Sequence, residues 1–251
     1  MMARDSAPAS IVRLDTVDST QSVAFGLAEH GAADRTVVVA DQQLAGRGRR
    51  GRIWRAPAGT SLLASIIVRP RLPQALLPTF SPMTAVATAE ALRRVAPVAA
   101  RVKWPNDVLV GGKKIAGILL ESRAPVIIIG VGVNLGQREF PPELAGRATS
   151  VALETGRAPD RETMLAALLE EFDAWRARLE REGFGAVREQ WRMLSDTLGR
   201  HVTLDDGVTG IAVDLDVDGA LLIDAAGTVR RVIAGEIAWD EATAGSRARG
   251  R

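Results

Sequence analysis

Apolar residues in the first half of the chain fall in short runs, alternating or continuous, which is the pattern of strands. The predicted strands are Ile11 to Val17, Thr36 to Ala40, Ser61 to Val68, Arg101 to Trp104, Val108 to Val110, Lys113 to Ser122 and Val126 to Val133. Two helices interrupt them. One follows Asp18-Ser19-Thr20-Gln21, all N-cap or first-turn residue types, runs through Phe25 and Leu27, and stops near Gly31. The other is alanine-rich, Pro82 to Val95, after a proline-bounded loop from Arg69 to Pro78. From Asp160 the period changes: Leu165, Leu168, Leu169, Phe172, Trp175 and Leu179 recur at three and four, a core stripe rather than a cofactor box. A second helix, Phe184 to Leu194, follows the break at Gly183. Beyond Leu198, short strands punctuated by Asp205-Asp206-Gly207, Asp218-Gly219 and Ala225-Ala226-Gly227 predict a small barrel ending near Trp239.

Glycines refine this picture at two places. Gly111-Gly112 between apolar strands is a hairpin signal, because primed turns need positive φ. Lys113 and Lys114, neighbours on the next strand, then project to opposite faces, one of them into a site. Gly130, Gly132 and Gly136 have the wrong spacing for a dinucleotide fingerprint, and Pro141-Pro142 stand where its helix would run. These glycines instead predict close approach of a ligand to the strand, with Asn134 at its edge.

The densest chemistry is Gly46-Arg47-Gly48-Arg49-Arg50-Gly51-Arg52, followed by Ile53 and Trp54. Four arginines and three glycines in seven residues remove Cβ atoms where the backbone bends and offer N–H groups and guanidinium forks to an anion. The competing reading is a solvated arginine run on a nucleic-acid-binding surface. Such runs usually repeat in low-complexity stretches, and this one occurs once between apolar strands. Gln43 lies close enough to face the same pocket. Ser19 and Thr20 are read either as helix caps or as donors and acceptors for a neutral polar ligand.

Composition confines basic chemistry to that loop. Lys plus Arg is 32 against 30 for Asp plus Glu, a formal charge of +2, which argues against a dedicated polyanion binder. With 251 residues, 47% of them hydrophobic, the chain can bury one substantial core and a small second domain. It has no cysteine, which removes disulfides, thiolate metal sites and a cysteine nucleophile. His30 and His201 are far apart and read as surface or capping residues, which argues against a serine-histidine-carboxylate triad. No secretory signal is read at the amino terminus, and the longest apolar runs fall well short of the ~20 residues of a membrane helix. The expected location is the cytoplasm.

Taken in order, Asp18-Ser19-Thr20, Gln43 with Gly46 to Trp54, Lys103-Trp104-Pro105-Asn106-Asp107, Lys113 to Glu121 and Gly130 to Asn134 resemble the biotin protein ligases in motif, order and approximate spacing. The resemblance implies an α+β fold: a mixed sheet flanked by helices, related to class II aminoacyl-tRNA synthetases and lipoyl ligases, with a small C-terminal SH3-like barrel. It implies activation of biotin by ATP and Mg²⁺ to biotinyl-AMP, then acylation of one lysine of a biotin carboxyl carrier domain. On the matching positions, Lys114 is the cation between the biotin carboxylate and the α-phosphate, and Arg49 retains the intermediate. Arg47 and Gly48 line the biotin and phosphate site beside Gly46, and Arg52 reaches the nucleotide phosphates. Ser19, Thr20, Gln21 and Gln43 meet the ureido ring and its surroundings. Lys103, Asn106 and Asn134 match adenine- and phosphate-side contacts, Trp54 helps close the loop, and Gly117 and Gly132 belong to the binding strands. Asp107 is read either as the acceptor of the attacking lysine's proton or as a turn residue after Pro105, and no residue is assigned to a metal.

The expected domains are residues 11–195, catalytic, and 196–240, SH3-like, with disordered ends at 1–10 and 241–251. Some family members carry a helix-turn-helix domain in front, and the short stretch before Ile11 leaves no room for one, so no DNA partner is expected. The expected partner is the carrier domain of a carboxylase, with no membrane contact and with homodimerisation through a sheet edge left open. A lipoyl ligase of the same fold and a nucleic-acid-binding module are the rival readings.

Overall fold

The computed structural model describes residues 10–239; the expected disordered tail at 241–251, like residues 1–9, lies outside the described residues. In chain order the first elements are β1 (Ile11–Val17), α1 (Thr20–Glu29), β2 (Val37–Gln43), β3 (Ser61–Val68), α2 (Phe80–Val95), β4 (Arg101–Lys103), β5 (Asp107–Val110), β6 (Lys113–Arg123) and β7 (Val126–Asn134). Then come α3 (Val151–Thr155), α4 (Arg161–Glu182) and α5 (Phe184–Leu194), followed by β8 (His201–Leu204), β9 (Thr209–Leu215), β10 (Leu221–Ala225), β11 (Thr228–Val232) and β12 (Ile237–Trp239). The larger sheet has the order β1-β2-β3-β7-β6-β5-β4 and is mixed, since β1 and β2 are parallel and the other described pairs antiparallel. The smaller has the order β11-β10-β9-β8-β12, all antiparallel, and is the SH3-like part.

The chain forms two compact units, with β6 and α4 each contributing residues to both. In the unit made of the chain up to Arg71 and Ala116–Leu165, α1 lies on the sheet through Ala24 and Phe25, packed against Val38, Ile67, Val126 and Ile128. Those β3 and β7 residues come from continuous apolar runs, and β3 is buried from Ser61 to Val68, as a central strand covered on both faces must be. Strand β2 runs past the predicted Ala40 to Gln43, because Gln42 and Gln43 pair with Thr16 and Val17 of β1. Polar residues at a sheet end escape a hydrophobicity pattern. The short helix α3 also escapes it; Ser150 caps it by accepting from the Leu153 N–H at 3.2 Å.

In the other unit, α2 buries Ala85, Ala87, Ala89 and Ala91, whose small side chains allow close packing. It begins at Phe80, two residues before the predicted Pro82, after a 3-10 turn over Gln74–Thr79 inside the predicted loop. Glu90 joins three helices, accepting from Trp175 Nε1 at 2.7 Å and Gln190 Nε2 at 2.6 Å. Burial, and then the charge of Glu90, push the neighbouring Glu171 carboxyl up. The stripe Leu165, Leu168, Leu169, Phe172, Trp175 and Leu179 is buried as its spacing predicts. Strand β4 ends at Lys103; the Trp104 N–H turns to Thr197 Oγ1 and its indole N–H to the Gly219 carbonyl. In the smaller sheet Gly210 admits no side chain, since a Cβ there would lie 2.4 Å from the Asp224 carbonyl oxygen. Among the described residues no helix is long and apolar enough to cross a membrane.

Helix α4 starts on Asp160, which accepts from the Thr163 N–H at 2.9 Å and so lies below the usual carboxylate range. A folded-state pKa below the unfolded one stabilises above the unfolded value, and that stabilisation is lost as pH falls through the folded value. Asp160→Ala is therefore expected to lower the melting temperature at neutral pH, and the gap from wild type should close as the solution is acidified below the carboxylate range. A gap independent of pH in calorimetric scans would show that the cap's charge is irrelevant.

Candidate active site

The candidate residues fall into two groups, one in each unit. In the first, Ser19 sits at the N-cap of α1 but makes no capping bond with its side chain; its hydroxyl is buried and without a partner. Next to it the Gln43 carbonyl oxygen accepts from the Thr20 N–H at 2.8 Å and lies 3.0 Å from Thr20 Oγ1. Thr20 Oγ1 is also 2.8 Å from Ser65 Oγ, which donates to Gln21 Oε1 at 3.1 Å. Two hydroxyl protons serve these contacts. Thr20 Oγ1 donates to Gln43 Oε1, Ser65 Oγ supplies the second proton, and Thr20 keeps a lone pair to accept with. Gln43 then presents its NH₂ group, held 2.9 Å from where a Cβ on Gly46 would sit. A hydroxyl, an acceptor and an amide donor side by side suit a neutral ligand that carries both N–H and C=O.

Gln21 departs from expectation. Its Nε2 donates to the carbonyls of Leu119 and Ile128, each at 3.2 Å, and its oxygen is taken by Ser65. Both donors are used inside the fold, so the amide ties α1 to β6 and β7. Asn134 is buried, with Nδ2 donating to the Thr149 carbonyl at 3.0 Å.

The arginine loop folds back on itself. Trp54 N–H donates to the Gly46 carbonyl at 2.9 Å and Gly48 N–H to the Arg52 carbonyl at 2.8 Å, with a bridge between Arg47 and Ile53. Its tip is a 3-10 turn, Arg49–Gly51, in which Arg50 (φ 57°) and Gly51 (φ 74°) take the left-handed conformation. Gly46 is obligatory here, because a Cβ would stand 2.4 Å from the Trp54 carbonyl oxygen. Along the loop, with Leu119 and Glu121 of β6 as further wall, runs a cavity of 650 Å³. Arg47 Nη2 contacts Glu121 Oε2 at 2.6 Å, while Arg49, Arg50 and Arg52 also line the cavity.

The space above the β7 glycines is filled by side chains of the chain itself. A Cβ on Gly132 would lie 2.6 Å from the Trp54 ring, and one on Gly130 would lie 2.8 Å from Gln21 Oε1. Close approach, expected of a ligand, is made by the indole and the amide. In register, Gly132 faces Gly117 of β6 on one side and Leu63 of β3 on the other.

The second group lies on the β4-β5-β6 hairpins. Gly111 and Gly112 have φ of 56° and 78°, as the predicted primed turn requires. Lys113 is exposed and Lys114 half-buried, in keeping with opposite faces. Lys114 Nζ lies 2.6 Å from Asp107 Oδ1. Asp107 pairs in register with Lys103, and Asn106 occupies the turn between them. Ser65 and Glu121 are neighbours of these residues to which the sequence analysis gave no role; for Ser65 the signal was a polar residue within the apolar strand β3.

Residues 14–136 match the Biotin/lipoate A/B protein ligase family and residues 197–238 the Biotin protein ligase C terminal domain. A biotin–[acetyl-CoA-carboxylase] ligase of Paracoccus denitrificans is 37% identical over 223 residues, which cover 84% of this chain and 92% of that protein. The chain belongs to the biotin protein ligase family. The Mycobacterium tuberculosis biotin–[acetyl-CoA-carboxylase] ligase is 35% identical, with 90% and 88% of the two chains covered. The Aquifex aeolicus biotin protein ligase in complex with biotin and ATP superposes with a TM-score of 0.83 at 30% identity, over 92% of this chain and 98% of that one.

For a biotin protein ligase, the packing of Trp54 on Gly132 is a position where one methyl group decides. Gly132→Ala is expected to cost about 1–3 kcal/mol in urea unfolding, and much less in a Trp54→Ala background. Equal cost in both backgrounds would show that the ring does not set the glycine requirement.

Proposed function

We propose that this chain activates biotin with ATP to biotinyl-AMP and transfers the biotinyl group to one lysine of a biotin carboxyl carrier domain of a carboxylase. The observation that carries this reading is the arginine-lined cavity beside the Thr20–Gln43 cluster, in a chain of this family. The match to the biotin-specific C-terminal domain and the names of the relatives support biotin over lipoate. In the first step a biotin carboxylate oxygen bonds to the α-phosphorus and the bond to pyrophosphate breaks. In the second, the lysine amine bonds to the acyl carbon, AMP leaves with the electron pair, and the amine gives up a proton. Neither step needs a bond to the protein, in keeping with a chain that has no cysteine.

Two anions must meet in the first step, and cations lower that repulsion most when water is excluded. Lys114 is assigned to the reacting carboxylate and α-phosphate, Arg49 to holding the intermediate, and Arg52 to the nucleotide phosphates. Ser19, Thr20 and Gln43 are assigned to the ureido ring, and Lys103 and Asn106 to the nucleotide side. Among the described residues no group of three or more His, Cys, Asp or Glu could hold a metal, and no step here runs through the metal. The proposal covers domains at 11–195 and 196–240, a cytoplasmic location and a single acceptor protein; a homodimer forms no part of it.

Asp107 is assigned to orienting Lys114 rather than to taking the amine's proton, because its carboxylate is engaged with Nζ at 2.6 Å. Lys114→Ala should slow biotin-dependent ATP–pyrophosphate exchange by about 10²–10³-fold. Asp107→Asn should slow the same exchange, by about tenfold, if it positions the lysine. Normal exchange by Asp107→Asn with loss of transfer from supplied biotinyl-AMP would instead make Asp107 the base. A mass spectrum of carrier domain incubated with wild type, ATP, Mg²⁺ and biotin tests the reading as a whole: one biotin on one lysine is expected, and an unmodified carrier would overturn it.

A further inference from the structure

We infer that Trp104 and Thr197 are positioning residues for the proposed reaction: through them the smaller sheet sets the turn that carries Lys103, Asn106 and Asp107. Strand β4 is only three residues long and stands at the edge of the larger sheet, so the β4-β5 hairpin is a weak frame for the turn between its strands. Its outer edge is covered by the segment that leads from α5 into β8. Ser195 bridges to Val102 in parallel, and the Asp196 N–H donates to the Val102 carbonyl at 2.8 Å. Next along that segment, the hydroxyl oxygen of the buried Thr197 accepts from the Trp104 N–H at 3.0 Å. The Trp104 indole is buried too, and its Nε1 donates at 3.2 Å to the carbonyl of Gly219, in the turn between β9 and β10. Thr197 and Gly219 lie in the part that matches the C-terminal domain, and Trp104 in the part that matches the ligase family.

Both N–H groups of one residue are thus held by the C-terminal part, and that residue stands between Lys103 and the Asn106-Asp107 pair. Lys103 and Asp107 are opposite each other in the β4-β5 register, so a shift at Trp104 reaches both. Asp107 passes it on to Lys114, whose Nζ lies 2.6 Å from its carboxylate. The Gly219 turn is itself steadied, since the Gly219 N–H donates to the Asp216 carbonyl at 3.0 Å and Arg231 grips the side chains of Asp216 and Asp218. On its other side the turn after β4 has the Ser81 hydroxyl donating to the Pro105 carbonyl, at 3.3 Å a long bond for an O–H donor. Removing the Thr197 oxygen leaves a buried backbone N–H without its acceptor, a cost the turn escapes only by moving toward water. What the turn does rests on the ligase reading above; what holds it does not.

The test uses the full chain with Thr197→Val, which keeps the side-chain shape and removes the acceptor, Thr197→Ser, which keeps the acceptor, and Trp104→Phe, which removes the indole donor. In hydrogen–deuterium exchange without ligand, the peptide spanning Lys103 to Asp107 should exchange about fivefold faster in Thr197→Val and Trp104→Phe than in wild type, the worth of one hydrogen bond. Thr197→Ser should stay near the wild-type rate. In biotin-dependent ATP–pyrophosphate exchange, Thr197→Val and Trp104→Phe should raise KM for ATP about fivefold and leave KM for biotin unchanged, because the residues assigned to biotin belong to the other unit. Thr197→Ser should keep both values. Deuterium uptake at the wild-type rate in Thr197→Val, or uptake in Thr197→Ser as fast as in Thr197→Val, would overturn the inference. Faster uptake with KM for ATP unchanged, or with both KM values raised alike, would overturn it too and leave the contact a purely structural one. Should Thr197→Val not fold, Trp104→Phe carries the same two readouts. If wild type shows no biotin-dependent exchange, the ligase reading fails, and the deuterium comparison still decides whether the smaller sheet holds the turn.

Discussion

Four arginines on seven consecutive residues are carried by a loop whose backbone closes on itself. The Gly46–Trp54 and Gly48–Arg52 bonds make a neck and a tip from main-chain groups. What adds to them is the tight neck, where Gly46 lies against the Trp54 carbonyl with no room for a Cβ, and the indole seated over Gly132. The positive charge is therefore carried by a frame whose stability comes from apolar and main-chain contacts, and the chain as a whole, at +2, is nearly balanced.

Seating the indole explains why β7 must be glycine at a position flanked by isoleucines and valines. Strand β7 is fully paired on both sides, so glycine gives nothing to its ladder and costs conformational entropy. The gain is depth. With no Cβ at 130 and 132, the sheet surface drops by a side-chain layer, and Gln21 and Trp54 drop into it. Gln21 then carries the polar chain from β6 and β7 through Ser65 and Thr20 to Gln43, so one buried amide fixes the position of another that faces the cavity side.

The strands and the long helices were legible because each is paced by burial: β3 is apolar throughout, and the stripe from Leu165 to Leu179 keeps helical spacing. Gly111-Gly112 was legible because a turn of positive φ leaves few other residue choices. The glycines of β7 were half legible. Sequence shows that something comes close to the strand; it does not show whether that something is a ligand or the chain's own tryptophan. Gln21 and Asn134 have partners within the fold that sequence does not reveal, for a related reason. An amide near a motif reads as a ligand contact, whereas the carbonyls of Leu119, Ile128 and Thr149 that claim these amides are invisible in sequence, since every residue has one. The Arg47–Glu121 pair spans 74 residues and could be known only from the fold.

In each unit a cation is matched by a carboxylate at the same distance, Glu121 on Arg47 and Asp107 on Lys114, both 2.6 Å. The two pairs differ in the geometry of the cation. Lysine's ammonium has three donors around one nitrogen, so it can keep one carboxylate and still donate to a second oxygen from the same point in space. Arginine's five donors lie in one plane, and an ion bound at the far edge of the fork is displaced from the first by the width of the guanidinium. An ammonium held by a carboxylate, as Lys114 is by Asp107, suits a charge that stands between two oxygens, and a fork such as that of Arg47 suits one that braces a loop. Asp107 is also the more buried of the two carboxylates, 22% against 34% exposed, so its grip on the lysine is less screened by solvent.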